Sequence, residues 1–201
     1  MNDHYYSSKP TAVSRPVQFV AELRGMTFRF QSDAGVFSKH GIDFGSRLLI
    51  EQMEIPEGAS VLDVGCGYGP IGLVAARLSQ NGTVTMVDVN ELALSLARSN
   101  AELNGITNVR ILTSDALESV LAERFDRIVT NPPIRAGKEV VHRIFAQACD
   151  CLNPGGQLWV VIQKKQGAPS AFAKLQELFG EENVEQAAME KGYRIYRATK
   201  R

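Results

Sequence analysis

Ser60-Val61-Leu62-Asp63-Val64-Gly65-Cys66-Gly67-Tyr68-Gly69-Pro70 decides how this chain reads. Val61, Leu62 and Val64 make a short apolar run, suited to a strand buried on both faces. The glycines after it permit a sharp turn and leave no Cβ to obstruct a ligand lying on the backbone. Pro70 fits the first turn of a helix, where its missing N–H costs little. A strand passing through glycines into a helix opens a βα unit. The same alternation continues downstream: a helix to about Gln80 stopped by Asn81-Gly82, a strand over 83–88, and a helix capped by Asn90. That second helix carries Leu92, Leu96 and Leu103 along one side and ends at Asn104-Gly105 in a left-handed cap. Further strands are expected over 109–113, 125–130 and 157–162, with a helix over 138–152 between the last two. A helix over 168–179 and strands over 184–189 and 193–199 finish the chain. Strands alternating with helices predict an α/β, Rossmann-like fold with a mostly parallel sheet covered on both faces.

Upstream, Val17, Phe19, Ala21 and Leu23 alternate with polar neighbours, and Met26, Phe28 and Phe30 do so again beyond Arg24-Gly25. Two period-two runs across a short turn predict a β-hairpin. A loop with Gly35, Gly41 and Gly45 follows, and Ser46 is expected to cap a short helix that Pro56 and Gly58 terminate. Residues 1–15 read as a flexible polar lead-in. The remainder, 16–201, reads as a single domain, with the hairpin and helix over 16–56 and the Rossmann-like core over 57–201.

The 201 residues are 44% hydrophobic and 22% charged, with 22 Lys and Arg against 22 Asp and Glu. That balance argues against disorder, and zero net charge removes the simplest signal of a nucleic-acid binder, a strongly basic domain. Any basic surface must be local. Cys66, Cys149 and Cys151 lack zinc-ribbon or redox spacing, and Cys149 and Cys151, two apart in an apolar stretch, read as buried thiols. The first residues lack a signal-peptide apolar core, and the longest apolar runs, such as Leu158-Trp159-Val160-Val161-Ile162, are far too short to cross a bilayer. A soluble cytoplasmic chain is expected, with Trp159 in its core.

In open parallel sheets ligands bind at the carboxyl ends of the strands, where strand order reverses. The glycine turn at 65–69 lies at such an end, and the helix after it offers N–H groups and partial positive charge to an anion. Asp88 closes the next strand, where a carboxylate can accept from both hydroxyls of a ribose. Asp115 follows the third strand, placed for an adenine amino group. Together they describe a pocket for an adenosine-containing cofactor. Gly67-Tyr68-Gly69-Pro70-Ile71-Gly72 is also a literal G-x-G-x-x-G. A dinucleotide fingerprint should start directly after the strand, however, and counting from Gly65 puts Pro70 in its sixth position, which disfavours a NAD-dependent oxidoreductase.

The strand over 125–130 runs into Asn131-Pro132-Pro133-Ile134. Prolines there stiffen the backbone and supply carbonyls without competing donors. The Asn131 side-chain oxygen and the Pro132 carbonyl can accept both hydrogens of an –NH₂ group and aim its lone pair. Methyl transfer from a sulfonium centre needs chiefly such positioning, and neither a metal nor a nucleophile–base triad. His40 and His142 stand apart from each other and from carboxylates and are assigned no chemistry.

Asp63-Val64-Gly65-Cys66-Gly67-Tyr68-Gly69, Val87-Asp88-Val89-Asn90, Ser114-Asp115-Ala116 and Asn131-Pro132-Pro133 resemble the motifs of class I S-adenosylmethionine-dependent methyltransferases. Gly35-Val36-Phe37-Ser38 and Asp43-Phe44-Gly45-Ser46-Arg47-Leu48-Leu49 resemble one branch, the ribosomal RNA small subunit methyltransferase C family, in its short single-domain members. The likeness runs from about residue 16 to the end; some members carry two methyltransferase-like halves, of which this chain matches the catalytic one. The resemblance implies a seven-stranded sheet with an antiparallel last strand, S-adenosylmethionine as cofactor, and methylation of a guanine exocyclic amino group (N2) in ribosomal RNA or the small ribosomal subunit. It places Gly65 and Gly67 at the methionine part of the cofactor, Asp88 at the ribose, and Asp115 and Ala116 at the adenine, with Asp63, Cys66 and Val89 also among the cofactor-binding residues. Asn131, Pro132 and Pro133 become the catalytic turn, with Asn131 also beside the cofactor. Phe37, Ser38, Ile134 and Arg135 would meet the substrate. Many amino-methyltransferases have an aromatic residue after the two prolines; here Ile134 stands there, so either Ile134 or another ring such as Phe37 packs on the base. Methylation of adenine or of a protein glutamine is the nearest alternative, and a non-catalytic cofactor- or RNA-binding module is a third class, opposed by the intact Asn131-Pro132 pair. Arg135, Lys138 and Arg143, Lys164-Lys165, and the C-terminal Lys191, Arg194, Arg197, Lys200 and Arg201 are the local basic groups available to phosphates.

Overall fold

β3 (Val61–Val64) sits at the point where the strand order of a seven-stranded sheet reverses, with β4 (Val84–Asp88) on one side and β6 (Phe125–Thr130) on the other. This computed structural model describes residues 16–33 and 41–201, so the lead-in over 1–15 and Phe37, Ser38 and His40 lie outside the described residues. Beyond β4 lies β5 (Val109–Thr113), and beyond β6 come β7 (Leu152–Gln163), then β9 (Tyr193–Thr199), then β8 (Val184–Glu190) at the far edge. β3 to β7 pair in parallel, whereas β9 runs antiparallel to both of its neighbours. The last strand of the chain is therefore the antiparallel one, slotted between β7 and β8. The helices are α1 (Phe44–Gln52), α2 (Pro70–Leu78), α3 (Glu91–Leu103), α4 (Lys138–Cys151) and α5 (Ala168–Phe179), and β1 (Val17–Leu23) pairs with β2 (Met26–Ser32) as the expected hairpin.

Successive strand residues face opposite sides of the sheet, and the two apolar layers follow that period. Val61, Val129, Trp159 and Val161 face the layer built with the hairpin and α1 to α3. Leu62, Val64, Ile128, Leu158 and Val160 face the layer built with α4 and α5. Asp63 falls on the first face by the same alternation, among apolar side chains. Among the described residues no helix is long and apolar enough to cross a membrane.

Five local expectations change. Asp43 caps α1, its Oδ2 accepting from the Ser46 N–H at 3.0 Å, and Ser46 lies inside the first turn. α2 stops at Leu78, before Gln80. β7 leaves α4 without a loop, starting at Leu152 instead of 157. On α3 the buried stripe is Ala93, Leu94, Ala97, Asn100 and Ala101; Leu92 and Leu96 are half-buried and Leu103 is 43% exposed. Small side chains on that stripe let the hairpin approach, which a leucine face would prevent. Cys151 is buried as expected and Cys66 is buried too, while Cys149, also expected inside, is only half-buried.

The hairpin docks onto α3 through two asparagines one helical turn apart. Asn100 Oδ1 accepts from the Gln31 N–H at 2.7 Å and its Nδ2 donates to the Gln31 carbonyl at 2.9 Å. Asn104 repeats the exchange with Arg29, at 2.9 and 2.7 Å. Two side chains thus pair the open edge of β2 as a neighbouring strand would, covering a row of backbone groups that could otherwise recruit another chain. Asn104 also precedes the expected left-handed end of α3: Gly105 has φ +64, and the Gly105 and Ile106 amides bond back to Glu102 and Ala101.

Candidate active site

The glycine turn is held from three sides. The Gly65 and Cys66 amides donate to the Val87 carbonyl, both at 2.9 Å, and the Gly67 amide donates to Asp88 Oδ2 at 2.9 Å. The Tyr68 carbonyl accepts from Asn100 Nδ2 at 2.8 Å, and the Tyr68 hydroxyl donates to the Gly41 carbonyl at 3.1 Å. Its ring lies edge-on to Phe19 and Phe30 of the hairpin, at 6.1 and 5.7 Å between centroids. Gly65 has φ +70 and opens onto empty space where a side chain would begin. Gly72 has a different reason to be glycine: a Cβ there would come within 2.8 Å of the Met86 side chain. Its part in the G-x-G-x-x-G pattern is to let α2 lie close on β4.

Asp63 is fully buried, and neither carboxylate oxygen has a hydrogen-bond partner of good geometry. Burial pushes its pKa up to about 7; the Gly72 amide in the first turn of α2 pulls it back in part, and the Asp88 charge raises it further. The helix N-terminus, expected to face a ligand anion, thus already faces a carboxylate of the protein. Asp88 Oδ1 accepts from the Asn90 amide at 2.9 Å, so with the Gly67 bond its carboxylate is oriented at the end of β4. The Cys66 thiol is buried, points no polar atom outward beyond a 3.5 Å contact with the Gly67 carbonyl, and has its pKa raised by burial. Cys66 meets the site through its backbone.

A narrow pocket at this edge is lined by Val64 and Gly65 from β3 and the turn, Asp88 and Val89 from β4, and Ser114 and Ala116 after β5. Asn131, Pro133 and Ile144 close it. Val64, Ser114 and Ile144 are additions to the residues expected from sequence; Ser114 and Ala116 are joined by a 2.8 Å bond from Ser114 Oγ to the Ala116 carbonyl, with Ala116 at φ +49. The Asp115 carboxylate turns away: it is more than half exposed and paired with Arg143 of α4 at 2.7 Å. Arg143, expected among the cations open to phosphate, is engaged by that pair.

At the end of β6, Asn131 Nδ2 donates to Ser46 Oγ at 3.0 Å and to Asp43 Oδ2 at 3.3 Å, both on the first turn of α1. The Pro132 carbonyl accepts from the Ile134 amide at 2.9 Å around Pro133 (φ −75, ψ 80), a γ-turn that occupies one of the carbonyl's two lone pairs. Ile134 packs partly into the apolar layer under α4, and Phe44, next to Asp43 in sequence, has its ring centroid 5.4 Å from that of Tyr193. Lys191 Nζ stands 4.8 Å above the Phe44 ring, and Gly192 beside it accepts from the Lys164 amide at 2.8 Å. The exposed cations Arg135, Lys164, Lys165 and Lys191 therefore share the edge on which Asn131 lies. Arg197 and Arg201 are instead paired with Glu54, Glu185 and Glu182.

Residues 27–197 match the methyltransferase small domain family. The chain belongs to that family. Its strand order is that of the Rossmann-like methyltransferase fold, and S-adenosylmethionine is the cofactor this family uses. The uncharacterized protein YbxB of Bacillus subtilis is 54% identical over the full length of both chains. Ribosomal RNA large subunit methyltransferase G of Pectobacterium atrosepticum is 30% identical over 89% of this chain and 48% of its own length. The Thermus thermophilus 16S rRNA N2 G1207 methyltransferase RsmC, solved with AdoMet and guanosine, superposes with a TM-score of 0.82 at 30% identity, covering 92% of this chain and 51% of RsmC. This methyltransferase thus spans about half the length of the last two relatives. Its own residues suit the cofactor: an open glycine turn, an oriented carboxylate at the end of β4, and a buried carboxylate without hydrogen-bond partners beneath the turn.

Proposed function

We propose that this enzyme methylates the exocyclic N2 amino group of a guanine in small-subunit ribosomal RNA. The observation that carries the reading is the Asn131-Pro132 pair of acceptors at the end of β6, beside a pocket shared with Asp88 and the glycine turn. When bound, S-adenosylmethionine supplies an electrophilic methyl group on a sulfonium. Asp88 would take the ribose hydroxyls, Gly65 and Gly67 would make room for the methionine part, and the buried Asp63 beneath the turn would supply negative charge on the side of its ammonium group. Ser114 and Ala116 form the adenine wall, with the paired Asp115 at its rim. The Asn131 Oδ1 and the second lone pair of the Pro132 carbonyl accept the two amino hydrogens of the target. Holding both hydrogens in plane would present the nitrogen lone pair to the side of the pocket from which S-adenosylmethionine would supply its electrophilic methyl group, with a thioether as leaving group. The extra proton on nitrogen passes to solvent or to an acceptor at the site. Guanine as the base and the small subunit as the source are supported by the likeness to RsmC; the likeness to the large-subunit enzyme keeps both subunits in the test.

Incubation with methyl-labelled S-adenosylmethionine tests this directly. The acceptors are small and large ribosomal subunits, free ribosomal RNA and total protein from cells lacking the enzyme, followed by nucleoside and amino-acid analysis. Label in N2-methylguanosine of small-subunit RNA is expected. Label confined to large-subunit RNA would move the target, and label in methyladenosine or methylglutamine would overturn guanine.

A further inference from the structure

We infer that Asp43 and Ser46 are positioning residues for methyl transfer, holding the Asn131 amide with its oxygen toward the target amine. This rests on the role proposed for Asn131 above. An asparagine amide is nearly symmetric in shape but has a donor end and an acceptor end. Only the acceptor end can bind an amino group that keeps its hydrogens, and the turn at 131–134 contains nothing that chooses between them. The choice is made from α1. Asn131 Nδ2 reaches Ser46 Oγ at 3.0 Å and Asp43 Oδ2 at 3.3 Å. A hydroxyl donates or accepts and would tolerate either end of the amide. A carboxylate offers only acceptors, so a reversed amide would set two oxygens against each other, one of them on a charged group. Asp43 therefore sets the polarity and Ser46 completes it. With both acceptors on the nitrogen, Oδ1 is left to the pocket that Asn131 lines with Gly65, Asp88 and Pro133.

Asp43 is itself aimed by the fold. The same Oδ2 caps α1 through the Ser46 amide at 3.0 Å, and α1 is anchored by the fully buried Leu49 and Ile50. The amide is thus oriented by a segment 85 to 88 residues earlier in the chain, docked across the sheet.

Asp43→Ser separates this role from capping, because Ser and Asp cap helices about equally well while a hydroxyl accepts Asn131 in either orientation. With ribosomal subunits as acceptor, kcat should fall roughly 10-fold, with the S-adenosylmethionine Kd and the thermal midpoint unchanged. Asn131→Ala should lower kcat by about 10–100-fold, and adding Asp43→Ser to it should cost nothing more. Additive losses, or an Asp43→Ser enzyme at full kcat, would overturn the inference. Full kcat in Asn131→Ala would instead remove Asn131 from the mechanism. A readout independent of turnover is the side-chain ¹⁵N–¹H pair that Asn131→Ala abolishes: it should exchange slowly in the parent and quickly in Asp43→Ser, which keeps a capping hydroxyl. Unaltered exchange in Asp43→Ser overturns the inference whatever the acceptor.

Discussion

Asp63 is the residue at which burial and charge conflict most sharply. Its carboxyl, normally near 3.8, is raised to about 7 by burial among apolar side chains. Between those values the folded protein holds a proton that the unfolded chain has released, so this group makes stability fall as pH rises through the window. The full difference is about 4 kcal/mol at most, reached above pH 7. Denaturant unfolding of the parent and Asp63→Asn at pH 5 and pH 8 should show the variant gaining stability relative to the parent as pH rises. A cation beside Asp63 favours its ionised form, so S-adenosylmethionine should bind more tightly, and with less proton release, as pH climbs past 7. Calorimetry in buffers of different ionisation enthalpy reads both. The need for an acid at position 63 was legible beside the glycines; that it stands against the first turn of α2 follows from strand alternation and became visible only with α2 in place.

Among the elements, α3 does more than cover the sheet. Asn100 is fully buried and satisfies three backbone groups, the Gln31 N–H and carbonyl and the Tyr68 carbonyl, tying hairpin and glycine turn to one helix position. Asn100→Ala leaves those groups unpaired, and at about 1 kcal/mol or more for each the loss should be roughly 3 kcal/mol. Chemical denaturation measures it, and weaker cofactor binding should accompany the loosened turn. Asn104 was legible as the residue before a helix-ending glycine, because that role is local. Asn100 was not, because its partners lie 69 and 32 residues away. The α1 cap shifted from Ser46 to Asp43 for a related reason: both residue types cap well in isolation, and Ser46 is drawn inside the helix to meet Asn131.

At the scale of the molecule, zero net charge is resolved into unequal surfaces. Arg197 and Arg201 are paired with Glu185 of β8 and with Glu54 and Glu182, while Lys164, Lys165 and Lys191 form no ion pair among the described residues and rim the edge on which Asn131 lies. The double reversal Lys164→Glu/Lys165→Glu should weaken binding to ribosomal RNA by about 10-fold or more at low salt and flatten the salt dependence by roughly one or two counterions, since each lost phosphate contact removes about one. S-adenosylmethionine affinity should stay unchanged, and titrations at several salt concentrations separate the two. An equal RNA affinity in the reversed variant would move the contact surface elsewhere.

The alternating strands and helices, the hairpin, the glycine turn and the acceptor turn after β6 were all readable in one dimension. Each rests on local chemistry: side-chain period, the conformational freedom of glycine, the stiffness of proline. Tertiary structure alone decided which cations stay available, what stands against Asp63, and which way the Asn131 amide points. Those outcomes depend on charges and hydrogen-bond partners brought together from distant parts of the chain, and a side chain's partners are set by the packing of whole elements, not by its neighbours in sequence.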